Sequence, residues 1–376
     1  MRGQVDSCDA LVVGGGPGGS TCARRLKQAG LDVLVLDKSE FPRDKVCAGW
    51  ITPQVIESLE LDTDDYRRGR VFQPITAFVT GLGTHRAVTV TYDHAISYGI
   101  RRYEFDDYLL RRSGARLALG EPLATIERQG NGWLVNGRIR TPLVIGAGGH
   151  FCPVARFLGA AVGRDEPAIT AQEIEFEMTP AQLAGCQVPG EQPELYFCDD
   201  LKGYGWCFRK GNFLNIGLGR EENHALAKQL ATFWAWLEAE GKIPPQSHPR
   251  FKGHAYLLRT RSPRSVVDSG VLLIGDAAGL AYPQSGEGIR PAVESGLMAA
   301  QVALAAAGDF TRERLAGYET GLADRFGPSN ARPVTLCPPR LREKIARALL
   351  RTRWFARHVV LNRWFLHAGQ PTLAVH

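Results

Sequence analysis

The spacing of apolar and polar positions changes several times along this chain, and the first change is the sharpest. An apolar run from Ala10 to Val13 stops at Gly14, Gly16 and Gly19, spaced G-x-G-x-x-G. A stretch of helical character follows to about Ala29 and is stopped by Gly30. A second apolar run, Leu31 to Leu36, ends on Asp37. Strand, glycine turn, helix, strand and acid in this order predict a βαβ unit that binds a dinucleotide, FAD or NAD. Gly14 permits the tight turn, Gly16 lets the backbone approach a pyrophosphate, and Gly19 lets the helix pack on the strand. The pyrophosphate then rests on the positive end of the helix. Asp37 is placed to accept the ribose hydroxyls.

Beyond this unit the period keeps switching. A loop, FPRDKVCAG (41–49), leads to a helix from about Pro53. Residues 75–92 predict a strand pair turning at Gly81–Thr84. EFDDYLLRRS (104–113) is helical, with Phe105, Tyr108 and Leu109 on one face. A meander follows: LATIERQ, a turn at Gly130–Gly132, WLVNG, then RIRTPLVIGAGG (138–149). Residues 169–219 alternate apolar and polar, with turns at Pro189–Gly190 and Gly211–Asn212, and predict an antiparallel sheet. A helix over 224–240 comes next. The strand GVLLIGDAAG (270–279) then runs into a long helix, Arg290 to about Ala307.

This order implies an α/β protein whose Rossmann-like nucleotide domain is interleaved with an antiparallel substrate sheet. The expected boundaries are 1–74, 97–160 and 255–330 for the nucleotide domain, 75–96 and 161–254 for the substrate domain, and 331–376 for a C-terminal segment. A chain of 376 residues accommodates two such lobes. The eight cysteines form no C-x-x-C pair, and the nine histidines show no metal spacing. No metal site is expected. With no signal-peptide pattern before the first strand, free thiols in a reducing cytoplasm are the expectation. No apolar run reaches the length that spans a bilayer.

A second signature, LLIGDAAGLAYPQSGEGIRPAVESG (272–296), favours FAD over NAD. Asp276 follows a strand and can hydrogen-bond a ribityl hydroxyl, which NAD lacks. Gly286, Gly288 and Ile289 open a helix whose backbone N–H groups would face the flavin pyrimidine or the pyrophosphate.

Four segments, FPRDKVCAG, RRYEFDDYLL, GYGWCFRKG and GDAAGLAYPQSGEGI, resemble the geranylgeranyl reductase family, part of the flavoprotein class built like p-hydroxybenzoate hydroxylase. The resemblance covers roughly residues 8–330. It implies FAD contacts from Gly18, Asp37, Arg43, Cys47, Ala48, Arg102, Ala124, Asp276, Gly288 and Ile289. It also implies a flavin reduced by NAD(P)H or another reductase, then passing hydride to a prenyl C=C. An FAD-dependent monooxygenase acting on an aromatic or secondary metabolite is the alternative. A flavin-loaded redox partner without catalysis is a further one. A halogenase is disfavoured, since no lysine-bearing GEST-like loop and no W-x-W-x-I-P occurs. Two departures stand out: Gly148 replaces an acid usual in related flavoproteins, and Arg209 replaces the proline that ends the reductases' aromatic motif.

Cys47 is the candidate catalytic residue, tuning the flavin or donating a proton; the plainer reading is a small packed residue beside Gly49. Tyr204, Trp206 and Phe208 alternate along a strand and so share a face. They line a hydrophobic substrate tunnel or form core between sheet and helix. His150 and Cys152 read as structural.

The net charge of +6 conceals an asymmetry. Residues 331–376 hold nine Arg or Lys and one acid, Glu343, a net +8. The body is left near neutral, which argues against nucleic acid as a partner. Within 340–367, Leu341, Ile345 and Leu349 recur every fourth position with arginines between, and Trp354, Phe355, Trp364 and Phe365 add aromatic weight. A basic amphipathic helix of this kind suits peripheral membrane contact. A helix docked on the body is the other reading, and RNA binding a third that nothing else in the chain supports.

Overall fold

The structure is a computed structural model. It describes all residues except 1–5, 84–86, 164–165, 222–225, 245–249, 330–338 and 375–376, and the side chains of 339, 340 and 342. The expected turn at Gly81–Thr84 and the start of the basic segment therefore lie partly outside the described residues.

A six-stranded sheet forms the nucleotide lobe, in the order 267–268, 271–273, 144–146, 10–13, 33–37, 116–119. All its pairs are parallel except the edge hairpin Val267–Asp268 with Val271–Leu273. Its central strands are buried on both faces, as a parallel sheet requires. Two helices cover one face: Pro17–Gln28, which follows the glycine loop, and Ile289–Ala305. They cross where neither has room for a side chain. A Cβ on Gly296 would lie 2.5 Å from the Gly18 carbonyl oxygen, and one on Gly18 would lie 2.8 Å from the Ala292 oxygen. This contact sets both helix N-termini side by side.

A seven-stranded sheet forms the second lobe, in the order 252–256, 169–177, 213–220, 203–210, 194–197, 77–82, 88–91. It is antiparallel as expected, with one exception: Glu194–Phe197 runs parallel to Ala77–Leu82. A small sheet of 50–51, 97–100 and 72–75 stands between the lobes. The meander occurs as read (126–129, 132–135, 139–141), but its last expected strand is two. Pro142 has no N–H to donate to a ladder. Beyond it, Val144–Gly146 leaves the meander and joins the parallel sheet.

The C-terminal segment splits. Pro339–Leu350 is a helix with Leu341, Ile345 and Leu349 exposed, and Trp354 beyond it is exposed too. The π-helical stretch Ala356–Phe365 is instead built into the second lobe. Val360, Leu361, Phe365 and Leu366 are buried against Trp50, Phe78, Phe197, Trp206 and Phe208. The final residues strap onto the nucleotide lobe, where Arg290 donates to the carbonyls of His367, Gln370 and Pro371. The segment is thus integral from Ala356 onward, because Val360, Leu361, Phe365 and Leu366 leave water against the sheet face. Among the described residues no helix is long and apolar enough to cross a membrane.

Candidate active site

One cavity of about 620 Å³ runs between the lobes, and most residues singled out in the sequence line it. Its nucleotide end is built by glycines doing different jobs. Gly14 has φ +116°, and a Cβ there would meet the Ala147 oxygen at 2.4 Å; a Cβ on Gly19 would strike the Gly14 oxygen at 1.9 Å. Gly16 is different. The nearest atom to its missing Cβ is Arg43 Nη2 at 3.6 Å, so the space beside it is open to a ligand. The following helix has Gly16 as N-cap with no side-chain cap and no acid in its first turn. Its leading amides are therefore free to bind an anion. Asp37 braces this loop: its Oδ2 accepts from Gly15 N at 2.7 Å and its Oδ1 from Ser39 N at 2.9 Å.

The opposite wall begins at the tight turn Gly275–Ala278. Asp276 lies 3.4 Å from His254 Nε2, and Lys45 Nζ lies 2.8 Å from the same nitrogen. Burial works against the Asp276 charge, but His254, Lys45 and Arg102 outweigh it and hold the carboxyl down at about 2. Burial lowers Lys45 to about 8. Gly288 caps the second helix, again without a side-chain cap, and a Cβ there would lie 3.0 Å from Asp276 Oδ1.

The loop 41–49 closes the third side. Asp106, fully buried, takes a bidentate pair from Arg102 at 2.6 and 2.7 Å and a second cation, Arg43, at 3.2 Å. Both guanidinium groups are thereby held at the cavity wall, and Arg43 Nη1 is buried without a hydrogen-bond partner. The half-buried Cys47 follows. Burial pushes its thiol up, Arg102 pulls it down and Glu173 adds to the rise, so the net state at neutral pH is a protonated thiol.

The aromatic end is lined by Trp50, Tyr204, Trp206 and Tyr256. Tyr204 donates to the Ser285 carbonyl and tethers the sheet to the late cofactor loop. Phe208 shares their face but does not line the cavity, because Trp50 covers it with ring centroids 4.9 Å apart. Ala124 also stays outside: it is exposed in the loop before the first meander strand, its N–H bound to Asn136 Oδ1. Pro122 and Leu123 take its place at the wall. Gly19 is buried in the helix packing and lines nothing.

Several lining residues gave no sequence signal. Lys45 stood unremarked inside a quoted motif. His254 and Tyr256 come from a short strand with no motif of its own. Trp50 begins the small sheet. Only pairing with distant strands brings these together.

The donor set fits FAD: two uncapped helix N-termini, an open space at Gly16, and an acid at the end of each of two parallel strands.

A family model for NAD(P)-binding Rossmann-like domains matches residues 12–51. The digeranylgeranylglycerophospholipid reductase of Methanocaldococcus jannaschii is 30% identical over 334 residues, covering 85% of this chain and 83% of the relative. The geranylgeranyl diphosphate reductase of Rhodobacter capsulatus is 31% identical, covering 79% and 75%. Among solved structures, a geranylgeranyl bacteriochlorophyll reductase-like protein from Thermoplasma acidophilum superposes with a TM-score of 0.72 at 23% identity, covering 92% of this chain and 88% of that one. A halogenase in complex with FAD has the same fold, with a TM-score of 0.67 at 16% identity, covering 91% and 76%. With both signatures in place and this identity over most of its length, the chain belongs to the geranylgeranyl reductase family of FAD-dependent oxidoreductases.

Proposed function

We propose that this enzyme saturates C=C bonds of a prenyl or isoprenoid lipid held in the aromatic end of the cavity, taking electrons from NAD(P)H or a separate redox partner. The observation that carries the reading is the continuity of the two ends. The cofactor cradle and the Trp50–Tyr204–Trp206–Tyr256 wall bound one cavity, with Cys47 in its lining. Two relatives are named for geranylgeranyl substrates.

FAD, when bound, supplies a hydride to a substrate carbon. The chain's own residues do the rest. Gly14, Gly16, Gly18 and the amides of the first helix receive the pyrophosphate, and Asp37 the ribose. Arg43, Arg102, Ala48, Asp276, Gly286, Gly288 and Ile289 line the remainder of the cofactor's path. The aromatic rings orient an apolar chain and exclude water. The Cys47 Sγ proton is available to the second carbon of the double bond, so hydride and proton together complete the reduction. Cys47→Ser keeps the shape and raises the acid's pKa, so it slows turnover without releasing FAD.

The exposed stripe Leu341–Ile345–Leu349 with Trp354 gives the enzyme a means of meeting its lipid. Basic residues flank the stripe and complement an anionic leaflet, at around 1 kcal/mol for each surface-apposed Lys or Arg.

The deciding experiment is anaerobic. Dithionite-reduced holoenzyme mixed with geranylgeranyl diphosphate should regain its oxidised flavin spectrum and yield a product two mass units heavier per bond reduced. Turnover that needs oxygen and gives a hydroxylated product would establish a monooxygenase instead.

A further inference from the structure

Behind the cavity wall, three side chains of the large sheet grip the Cys47 loop by its backbone. Glu173 Oε1 accepts from Cys47 N at 2.6 Å, Asn215 Nδ2 donates to Cys47 O at 3.3 Å, and Lys210 Nζ donates to Ala48 O at 3.0 Å. Each comes from a different strand: 169–177, 213–220 and 203–210. The three are not electrically alike. Asn215 is neutral and is itself fixed by Trp206 Nε1 at 2.7 Å. Lys210 is neutralised by Glu175 at 2.5 Å, which also takes Arg101 at 3.3 Å. Lys252, opposite Glu173 on the neighbouring strand, is paired with Asp44. Arg102 faces Cys47 from the helix side and is engaged by Asp106, and Lys45, two residues before Cys47 with its pKa lowered to about 8, is turned to His254 at 2.8 Å. Glu173 is left with no ion pair of its own among the described residues, at 5% exposure, and its Oε2 is buried with no hydrogen-bond partner.

A buried carboxyl with one idle oxygen is costly as an anion and comfortable as an acid. We propose that Glu173 is a positioning residue that holds the Cys47 backbone and, by gaining or losing a proton on its idle oxygen, sets how readily the Cys47 thiol gives up its own. Burial, with Glu175 adding to it, raises the Glu173 carboxyl to about 7 against the pull of the Cys47 N–H, Lys210 and Asn215. Below that pH the neutral acid adds nothing to the thiol's resistance to ionisation; above it, the carboxylate opposes a thiolate and raises the thiol further. The role of Cys47 as proton donor rests on the reductase reading, but the coupling between the two groups does not.

Iodoacetamide alkylation of Cys47 in the FAD-loaded enzyme, resolved by peptide mass spectrometry from about pH 5 to about pH 9, tests the coupling directly. Glu173→Gln keeps an acceptor for Cys47 N–H and removes the titration. It should alkylate about three- to tenfold faster at about pH 8, the effect of removing a nearby charge worth up to about one pKa unit. The wild-type profile should carry an inflection near the Glu173 value of about 7 that the variant lacks. Superimposable profiles would overturn the proposal. Should Glu173→Gln not fold, an infrared titration of isotope-labelled wild-type protein must still show a buried carboxylic acid titrating in this range; its absence refutes the proposal equally. Geranylgeranyl diphosphate oxidation of the reduced enzyme is run alongside. A coupled thiol in an enzyme inert to that substrate sinks the reductase reading only.

Discussion

Alanine at Gly16 and alanine at Gly19 should separate cofactor binding from folding within one loop. Gly16 has φ −72°, a conformation open to any residue, and its Cβ would have 3.6 Å of clearance. The Gly16→Ala apoprotein should therefore keep its stability to within about 0.5 kcal/mol. Gly19→Ala drives a Cβ to 1.9 Å from a backbone oxygen and 3.1 Å from Ala147 Cβ. Overpacking costs about 1–3 kcal/mol, and a carbonyl in a tight turn cannot rotate aside, so the upper end applies. At roughly 2–4 °C per kcal/mol, the melting temperature of the apoprotein should fall by roughly 6–12 °C. FAD reverses the ranking of the two sites. The methyl at 16 occupies the space through which the pyrophosphate reaches the helix amides. Losing one charge-assisted hydrogen bond there costs about 1.5–3 kcal/mol, or about tenfold to a hundredfold in Kd. Differential scanning fluorimetry of the apoproteins and FAD titration followed by flavin fluorescence read the two effects separately. A Gly16→Ala protein that binds FAD as the parent does would refute the placement of the pyrophosphate on this helix.

Asp106→Ala should leave Arg102 as a buried, uncompensated cation at a cost of about 3–5 kcal/mol; a melting temperature equal to the parent's would show that the pair is not held as described. Replacing Leu341, Ile345 and Leu349 together by glutamate should abolish sedimentation with anionic vesicles while leaving the melting temperature unchanged, because all three are exposed. Deleting 350–376 should instead unfold the second lobe, since it uncovers the face buried by Val360, Leu361 and Phe365; a soluble, cooperatively melting truncation would contradict that packing. His367 stacks on Tyr282 with ring centroids 3.6 Å apart, and burial with the Arg290 charge lowers it to about 4. Its folded value lies below its ordinary 6.5, so it contributes stability above that pH and loses it as pH falls toward 4. His367→Gln should therefore flatten the acid side of the melting-temperature profile, measured between about pH 7 and about pH 5; an unchanged slope would show that this histidine does not titrate there.

Legibility followed the range of the interactions. The glycine loop, Asp37 and the Asp276 turn were readable because each job is done by residues within about 25 positions, where a steric or hydrogen-bonding need leaves a fixed spacing. The two glycine helices were readable singly, but not their crossing at Gly18 and Gly296, which joins segments from opposite ends of the chain. Tyr204, Trp206 and Phe208 share a face, as alternation requires. Which of them meets the cavity depends on Trp50, whose ring covers Phe208. The grip on Cys47 was invisible for the same reason: Glu173, Lys210 and Asn215 sit in strands whose alternation is ordinary, and only the register of three strands converges them on one loop. In the tail, the four-residue spacing announced an amphipathic helix but not its end. The exposed stripe ends at Leu349 with Trp354 beyond it, and the stretch from Ala356 turns inward.

Gly148 is one of two departures from the pattern expected of the family, and the local geometry shows what packs beside it. A side chain there would begin 3.2 Å from Cys152 Sγ and 3.3 Å from its Cα, so the helix start at Pro153 has been drawn in over the space. A carboxylate enters the neighbourhood by another route. Glu166 forms a bidentate pair with Arg264 at 2.7 and 2.6 Å, its side chain 2% exposed and that of Arg264 fully buried. Arg264 in turn donates to the carbonyls of His150, Asp276 and Ala277 at 2.9, 3.3 and 3.0 Å. One ion pair thus ties the loop after Gly148 to the turn that presents Asp276. Without Glu166, Arg264 would be a buried cation satisfied by carbonyls alone, a state several kcal/mol less favourable. The Glu166–Arg264 pair therefore anchors the turn that holds Asp276 without a carboxylate at position 148.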